Sequence, residues 1–198
     1  MRLSLKTAAA ALAMDWTNEV KGHLRLDTDD EKARVEAILM PAAIAHAEAV
    51  TQRQLINATW TLYLDVFPAD SVPIELPKPP LSSVTSVKYK DAAGTQQTWS
   101  ATNYTVDKPA GDRCVPGRIV PNLGVTYPST YGQPNDVEIE YVAGYGAAYT
   151  SVPTAIRAAM LLLVAEQFER REEAIVGTII NTVPLASDRL LWPYRVWM

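Results

Sequence analysis

Val137-Glu-Ile-Glu-Tyr-Val-Ala-Gly-Tyr-Gly146, followed by Ser151-Val-Pro-Thr-Ala-Ile-Arg-Ala-Ala-Met-Leu-Leu-Leu-Val-Ala-Glu-Gln-Phe168, is where the chain changes its period. In the first run Val137, Ile139 and Tyr141 alternate with Glu138 and Glu140, the period-two pattern of a strand with one buried face. Gly144-Tyr-Gly146 ends the sheet. In the second run Ile156, Met160, Leu163, Val164 and Phe168 recur at three- and four-residue spacing, which is one face of a helix. Pro153 stands in the first turn, where its missing N–H costs nothing. Leu161 and Leu162 carry apolar surface nearly all round, so the helix is expected at the centre of the core. Glu169-Arg-Arg-Glu-Glu173 finishes it with mixed charges at i,i+3 and i,i+4 spacing, ordinary surface-helix chemistry.

Upstream of this junction the chain is strand-like and rich in proline. Trp60, Leu62 and Leu64 alternate with Thr59, Thr61, Tyr63 and Asp65. Val72-Pro-Ile-Glu-Leu76 is a short strand that Pro73 consigns to an edge. Pro77-Lys-Pro-Pro-Leu81 is a stiff connector. Val84, Val87 and Tyr89 start a hairpin that turns at Asp91-Ala-Ala-Gly94 and returns through Gln97–Trp99. Tyr104 with Val106, and Gly117-Arg-Ile-Val-Pro121, are further strands; Tyr127–Pro134 is a turn-rich loop. With no helix between them, the strands are expected to pair antiparallel.

The amino-terminal part returns to helical spacing. Met1–Thr7 reads as a short strand or extended arm, and Asp15-Trp-Thr-Asn-Glu19 opens a short helix through about Leu24 with acidic, capping residues first. Asp27-Thr-Asp-Asp-Glu31 invites comparison with a calcium loop. Lys32 replaces the glycine of such a loop and Ile38 its closing glutamate, so the run is read as a helix start. Val35, Ile38, Leu39, Ala42, His46 and Ala49 then share one face, with His46 expected in a core or interface. Pro41 lies inside this pattern and predicts a kink or a helix in two pieces. At the other end, Ala174–Pro184 reads as a loop and Ser187–Trp192 as a last short helix stopped by Pro193.

The two helical blocks are too small to stand alone. The expected fold is therefore α+β: a small helical bundle built from the amino- and carboxyl-terminal helices (15–52 plus 152–197), with a large antiparallel β insertion (55–146), residues 1–198 forming one folding unit. Of the 198 residues, 48% are hydrophobic and 20% charged, an ordinary globular mix with enough apolar surface for a sizeable core. The net charge of −4 argues against broad binding to nucleic acid, which needs clustered Lys and Arg to displace counterions. The single cysteine, Cys114, excludes an internal disulfide and is read as a small half-buried loop residue. The opening Ala-rich stretch is short and preceded by Lys6, which argues against a secretory signal, and no apolar run approaches a membrane span; a soluble protein made in a cytoplasm is expected. His23 and His46 are the two histidines, and neither lies in a nucleophile motif, a phosphate-cradling loop or a metal spacing. Glu138 and Glu140 share a face through plain outward alternation. The chain is expected not to be an enzyme and to need no cofactor or metal.

Several short runs, in order, carry a likeness. They are Glu19-Val-Lys-Gly-His-Leu-Arg-Leu26, then Asp29-Asp30 with the Ala-rich helix, Pro79-Pro-Leu81-x-Ser-Val84, Tyr104-x-Val106, Pro116-Gly-Arg-Ile119, Ala143-Gly-Tyr-Gly146, Val152-Pro153 with its Leu-rich helix, and Pro193-Tyr-Arg-Val-Trp197. By these the chain resembles the head–tail connector proteins of long-tailed bacteriophages and gene transfer agents, also called head-completion or adaptor proteins. Pro41 and the Ala-run opening depart from that pattern. The resemblance implies copies assembled in a ring, usually of twelve, beneath the portal protein. The ring would extend the DNA channel, pass duplex DNA without specific binding and offer a docking surface to the tail, through a downstream stopper or tail-completion protein. It implies a place in the neck of a virion assembled in the bacterial cytoplasm, with no membrane partner.

The tail Leu190-Leu-Trp-Pro-Tyr-Arg-Val-Trp-Met198 suits such a contact, since Trp, Tyr and Arg are the usual anchors of interfaces. Leu191, Trp192, Tyr194, Arg195, Val196 and Trp197 are the candidate residues for meeting the portal or a neighbouring subunit. The same residues also suit folding back on the chain's own helical core, and the two readings stand side by side. An alternative function is a ligand- or carbohydrate-binding β module of a phage tail or surface protein; of the two Trp in the β-rich middle, Trp60 alternates like a core residue, which leaves Trp99 as the stacking platform.

Overall fold

The computed structural model describes residues 1–69, 72–170 and 186–197. The expected loop Ala174–Pro184 and the charged run beyond Arg170 lie outside them. The chain forms β1 (Arg2–Thr7), then a π-helical turn at Trp16–Val20 running into α1 (Lys21–His23). Next come α2 (Lys32–Arg34), a second π-helical turn at Val35–Leu39 and α3 (Met40–Thr51), without a break between them. Seven strands follow: β2 (Ala58–Leu64), β3 (Ile74–Leu76), β4 (Leu81–Lys90), β5 (Gln96–Thr98), β6 (Tyr104–Asp107), β7 (Gly117–Pro121) and β8 (Val137–Ala143). The chain closes with α4 (Thr154–Glu169), α5 (Ala186–Leu191) and a 3-10 turn at Trp192–Tyr194. The fold is α+β, as expected.

Pro41 does not divide the second helix, which runs on through a π-helical turn, but it shifts the buried face. A residue at 41 would normally donate to the carbonyl of residue 37; proline cannot, and its ring crowds that carbonyl. The preceding turn widens instead, with the Met40 N–H bonded to the Val35 carbonyl, five residues back. One extra residue in that turn rotates everything after it. The buried positions are therefore Val35, Leu39, Met40, Ala43, Ala47 and Thr51. The expected stripe of Ile38, Ala42, His46 and Ala49 is one residue out of phase: Ile38 is 60% exposed and the other three are also exposed.

Helices from both ends of the chain share one core. Trp16, Val20, Val35, Met40, Ala43 and Leu55 meet Ile156, Met160, Val164, Leu191 and Tyr194 in one cluster. Each fully buried large side chain contributes roughly 1.5–3 kcal/mol. Pro153 caps α4 rather than entering its first turn. The helix is less enclosed than expected: Ile156, Ala159, Met160, Leu163 and Val164 are buried, whereas Leu162 is exposed. The acidic run before α2 acts as a clasp. Asp29 accepts from the Trp16 indole at 3.0 Å and pairs with Lys21 at 2.8 Å. The Arg157 guanidinium on α4 pairs with Glu19 and so ties the first turn to the last long helix.

The strands divide into two sheets rather than one. Five strands run β1-β2-β8-β4-β5 and three run β3-β7-β6, all antiparallel. β3 is an edge, as Pro73 required. β8 is central and buries Val137, Ile139, Tyr141 and Ala143 completely, while Glu138 and Glu140 turn to the outer face, where Lys6 pairs with Glu140 at 2.6 Å. The inner faces of the two sheets share a second core of Leu62, Ile74, Leu76, Val87, Trp99, Ile119, Ile139 and Tyr141. Gly117 permits that closeness, because a side chain there would collide with Leu81.

The chain passes between the β and helical lobes three times, after β1, at Leu55–Asn57 and at Gly144–Gly146, and the last two crossings lie side by side. The Asn57 N–H donates to the Gly146 carbonyl at 2.9 Å, and the Tyr145 N–H donates to the Leu55 carbonyl at 3.1 Å. Gly144 takes φ of +141° against Asn57, a conformation and a space that suit glycine. Glu48 at the end of α3 accepts from the Gln54 side chain (2.8 Å) and the Leu55 N–H (3.0 Å), and Gln54 accepts from the Trp60 indole (3.0 Å). Burial holds the Glu48 carboxyl above its ordinary range, against the opposing pull of the Leu55 N–H and Lys78.

Candidate docking surface at the carboxyl-terminal tail

The tail alternates between the chain's own core and its surface. α5 brings Leu191 into the helical cluster, where it is wholly buried. The 3-10 turn, which Pro193 suits by having no N–H to place, then carries Tyr194 into the same cluster. Val196 is buried as well, and its N–H donates to the Thr51 carbonyl at 3.0 Å. That carbonyl is free to accept because α3 ends there, with Gln52 in the left-handed conformation.

Arg53 fixes the turn from below. It is 2% exposed, and its Nε donates to the Tyr194 carbonyl at 2.5 Å. Its other arm reaches the Cys114 sulfur at 3.7 Å. Cys114 is thus buried rather than half-buried. The loop that carries it also places the Arg113 guanidinium 5.4 Å from the Tyr194 ring centre. The tail is therefore held by α3 on one side and by the β lobe's loop on the other. No sequence motif marks Arg53; only its burial identifies it.

The other three tail residues face outward as one group. Trp192 is 58% exposed and Trp197 68% exposed, with ring centres 5.5 Å apart in an edge-to-face arrangement. The Arg195 guanidinium lies 4.4 Å from the Trp197 ring centre and 5.8 Å from that of Trp192. A cation against two indoles is a favourable arrangement even in water, by about 0.5–1 kcal/mol per contact. It also limits the rotamers of three long side chains before any partner arrives. Leu191, Tyr194 and Val196 thus pack inward on the chain's own core, whereas Trp192, Arg195 and Trp197 are exposed.

The polar residues singled out for chemistry lie apart. His46 is exposed, not in the core, with Nε2 3.7 Å from Asp188 Oδ1. His23 is exposed on α1, and Glu138 and Glu140 lie on the outer sheet face. Among the described residues no group of three His, Cys, Asp or Glu is placed to hold a metal ion. No helix among them is long and apolar enough to cross a membrane. Trp99, the expected sugar platform, is a core residue at 5% exposure, stacked on Tyr104 at 5.0 Å. Trp60 is half-buried and committed to Gln54. The β module reading thus loses its stacking surface.

Comparison with solved structures gives full-length matches. The chain is similar to a chain in the neck of an empty gene transfer agent (GTA) particle computed with C6 symmetry, at 28% identity and a TM-score of 0.78. It is similar at 27% identity and 0.78 to a chain of the native GTA virion, and at 27% and 0.72 to one in the native GTA neck computed with C12 symmetry. Each match covers 100% of this chain and 97% of the other. The chain is built like a GTA neck component. No family model matches the sequence, and no curated protein does.

Proposed function

We propose that this protein is a structural subunit of the neck of a phage-like particle, an adaptor that forms a ring under the portal, continues the DNA channel and receives the tail. The observation that carries this reading is the full-length similarity to chains of GTA necks computed with C6 and C12 symmetry. Twelve copies in a ring is the stoichiometry in keeping with the C12 particle. The net charge of −4 suits a channel wall that duplex DNA passes without sticking. A stopper or tail-completion protein would then follow on the far side of the ring. Residues 1–198 act as one folding unit in this reading, with the helical core holding the tail and the β insertion standing beside it.

The Trp192–Arg195–Trp197 face is the portal contact in this proposal. Exposed indoles and a guanidinium are efficient anchors because they carry much contact area with few free torsions. The test is co-sedimentation of the protein with its cognate portal at micromolar concentration and moderate salt, followed by negative-stain microscopy. Stoichiometric capture and ring-shaped additions below the portal are expected. Failure to co-sediment overturns the adaptor reading; capture that survives Trp192→Ala with Trp197→Ala overturns the assignment of the tail.

A further inference from the structure

The β lobe carries a knob and a hole at opposite ends of one strand. The hole is a cavity of about 530 Å³ between β2 and β3, lined by Leu62, Leu64, Val66, Phe67, Ile74 and Pro116 among others. Its surroundings are apolar outside as well as in: Met1 is 74% exposed, Val66 56% and Val115, beside Pro116, 63%. Glu75 is its one charged lining residue among the described residues. A small-molecule site needs several placed polar groups to orient its ligand, and this wall does not supply them.

The knob is Leu123, which is fully exposed, at 105% of its reference area. It sits at the second position of the turn Asn122-Leu-Gly-Val125, closed by the Val125 N–H on the Asn122 carbonyl at 2.9 Å, with Gly124 at φ +79° as a type II turn requires. The turn is rigidly anchored. The Asn122 N–H bonds the Asn103 carbonyl (3.0 Å), its side-chain amide bonds the Thr102 carbonyl (2.9 Å), and its side-chain oxygen accepts from the Thr105 hydroxyl (2.7 Å). The backbone that carries this exposed leucine is thus held in place.

Pro116 precedes β7 and Leu123 follows it. The five strand residues between them rise ~3.3 Å each, about 16 Å in all, and the fully exposed Leu123 does not fill its own chain's hole. Closed rings need such separated, unlike patches, one on each side of the subunit. Resting on the ring reading above, we propose that the cavity between β2 and β3 receives Leu123 of the adjacent copy, making the head-to-tail contact between neighbouring β lobes.

The test is site-directed cross-linking of the full chain with a short bismaleimide, alone and with portal, with the wild type (buried Cys114 only) as control. Val66→Cys mixed with Leu123→Cys should give dimers, neither variant alone should, and the double variant should give a ladder. Leu123→Asp, with an unchanged melting curve, should weaken self-association by about tenfold or more. Rings in micrographs without mixed dimers overturn this contact and leave the ring reading standing. Neither rings nor dimers, with portal or without, overturn both. Adducts from Val66→Cys to the portal in place of a second copy give the cavity another occupant and overturn the proposal, as does unweakened assembly of Leu123→Asp.

Discussion

The helical lobe and the β lobe solve the same packing problem with different material. The helical core is mostly aliphatic and small: Ala43, Ala47 and Ala159 are wholly buried where α3 meets α4, beside Met40 and Met160. Small side chains let helix axes approach closely, and they leave room for segments distant in sequence, Leu55 and Leu191, to complete the cluster. The β core is filled by rings. Phe67 stacks on Tyr127 at 5.0 Å, Trp99 on Tyr104 at 5.0 Å, and Tyr89 meets Phe67 edge-on at 5.8 Å. Large rings span the gap between two sheets with few residues, so a three-stranded sheet suffices as the second wall. Both lobes thus join distant parts of the chain, the helical one through small aliphatic side chains and the β one through backbone pairing and a few large rings.

The contrast is open to direct attack. Trp99→Ala removes the central ring of the β lobe and should cost about 3–5 kcal/mol. Hydrogen exchange should show faster exchange at Val87 and Ile139 before Ile156 and Met160 change; equal loosening in both lobes would erase the distinction. Ala159→Leu puts new volume at a wholly buried position of the helical core and should cost about 1–3 kcal/mol by overpacking. Urea melts measure it, and a neutral result would mean that the core is not tightly packed there. Gly117→Ala, which drives a methyl group into Leu81, should fall in the same range on the β side.

Glu48 probes the joint between the lobes. Its folded carboxyl holds its proton more tightly than the unfolded one because of burial. Stability should therefore fall as pH rises from the ordinary glutamate range through the raised folded value, and recover as pH drops again. Glu48→Gln keeps an acceptor for Gln54 and Leu55 and should flatten that slope; thermal melts across mildly acidic pH are the measurement. The smallest stability effect is expected from Trp197→Ala, within about 0.5 kcal/mol, since the ring is mostly exposed. The same variant should still weaken portal capture.

How far the fold could be read from the chain depended on whether a pattern was local. β8 and α4 were legible because each period is set by one face against one core. The α3 stripe was misphased because a period of 3.6 assumes an unbroken hydrogen-bond ladder, and Pro41 forces an extra residue into the turn before it. The split into two sheets was not legible. β3 pairs with β7, with Ile74 opposite Ile119, and nothing in either short segment names its distant partner. Both readings of the tail came from the same residue types, since aromatic side chains suit cores and interfaces equally. Only in the folded chain do Leu191, Tyr194 and Val196 turn inward and Trp192, Arg195 and Trp197 outward. Arg53 and Leu123 carried no signal beyond their identity, because burial and presentation arise only when the chain is folded.

The paired crossings at Leu55–Asn57 and Gly144–Gly146 bring the two ends of the β insertion together, while β1 reaches the same sheet from the amino terminus. The insertion's two ends leave the helical lobe within hydrogen-bonding distance of each other. Loops at the far ends of the strands can therefore lengthen or shrink while the helices keep their register, as a lathe keeps its chuck when the tool is changed. Diversity among such neck subunits is expected to concentrate in the loops farthest from Asn57 and Gly144.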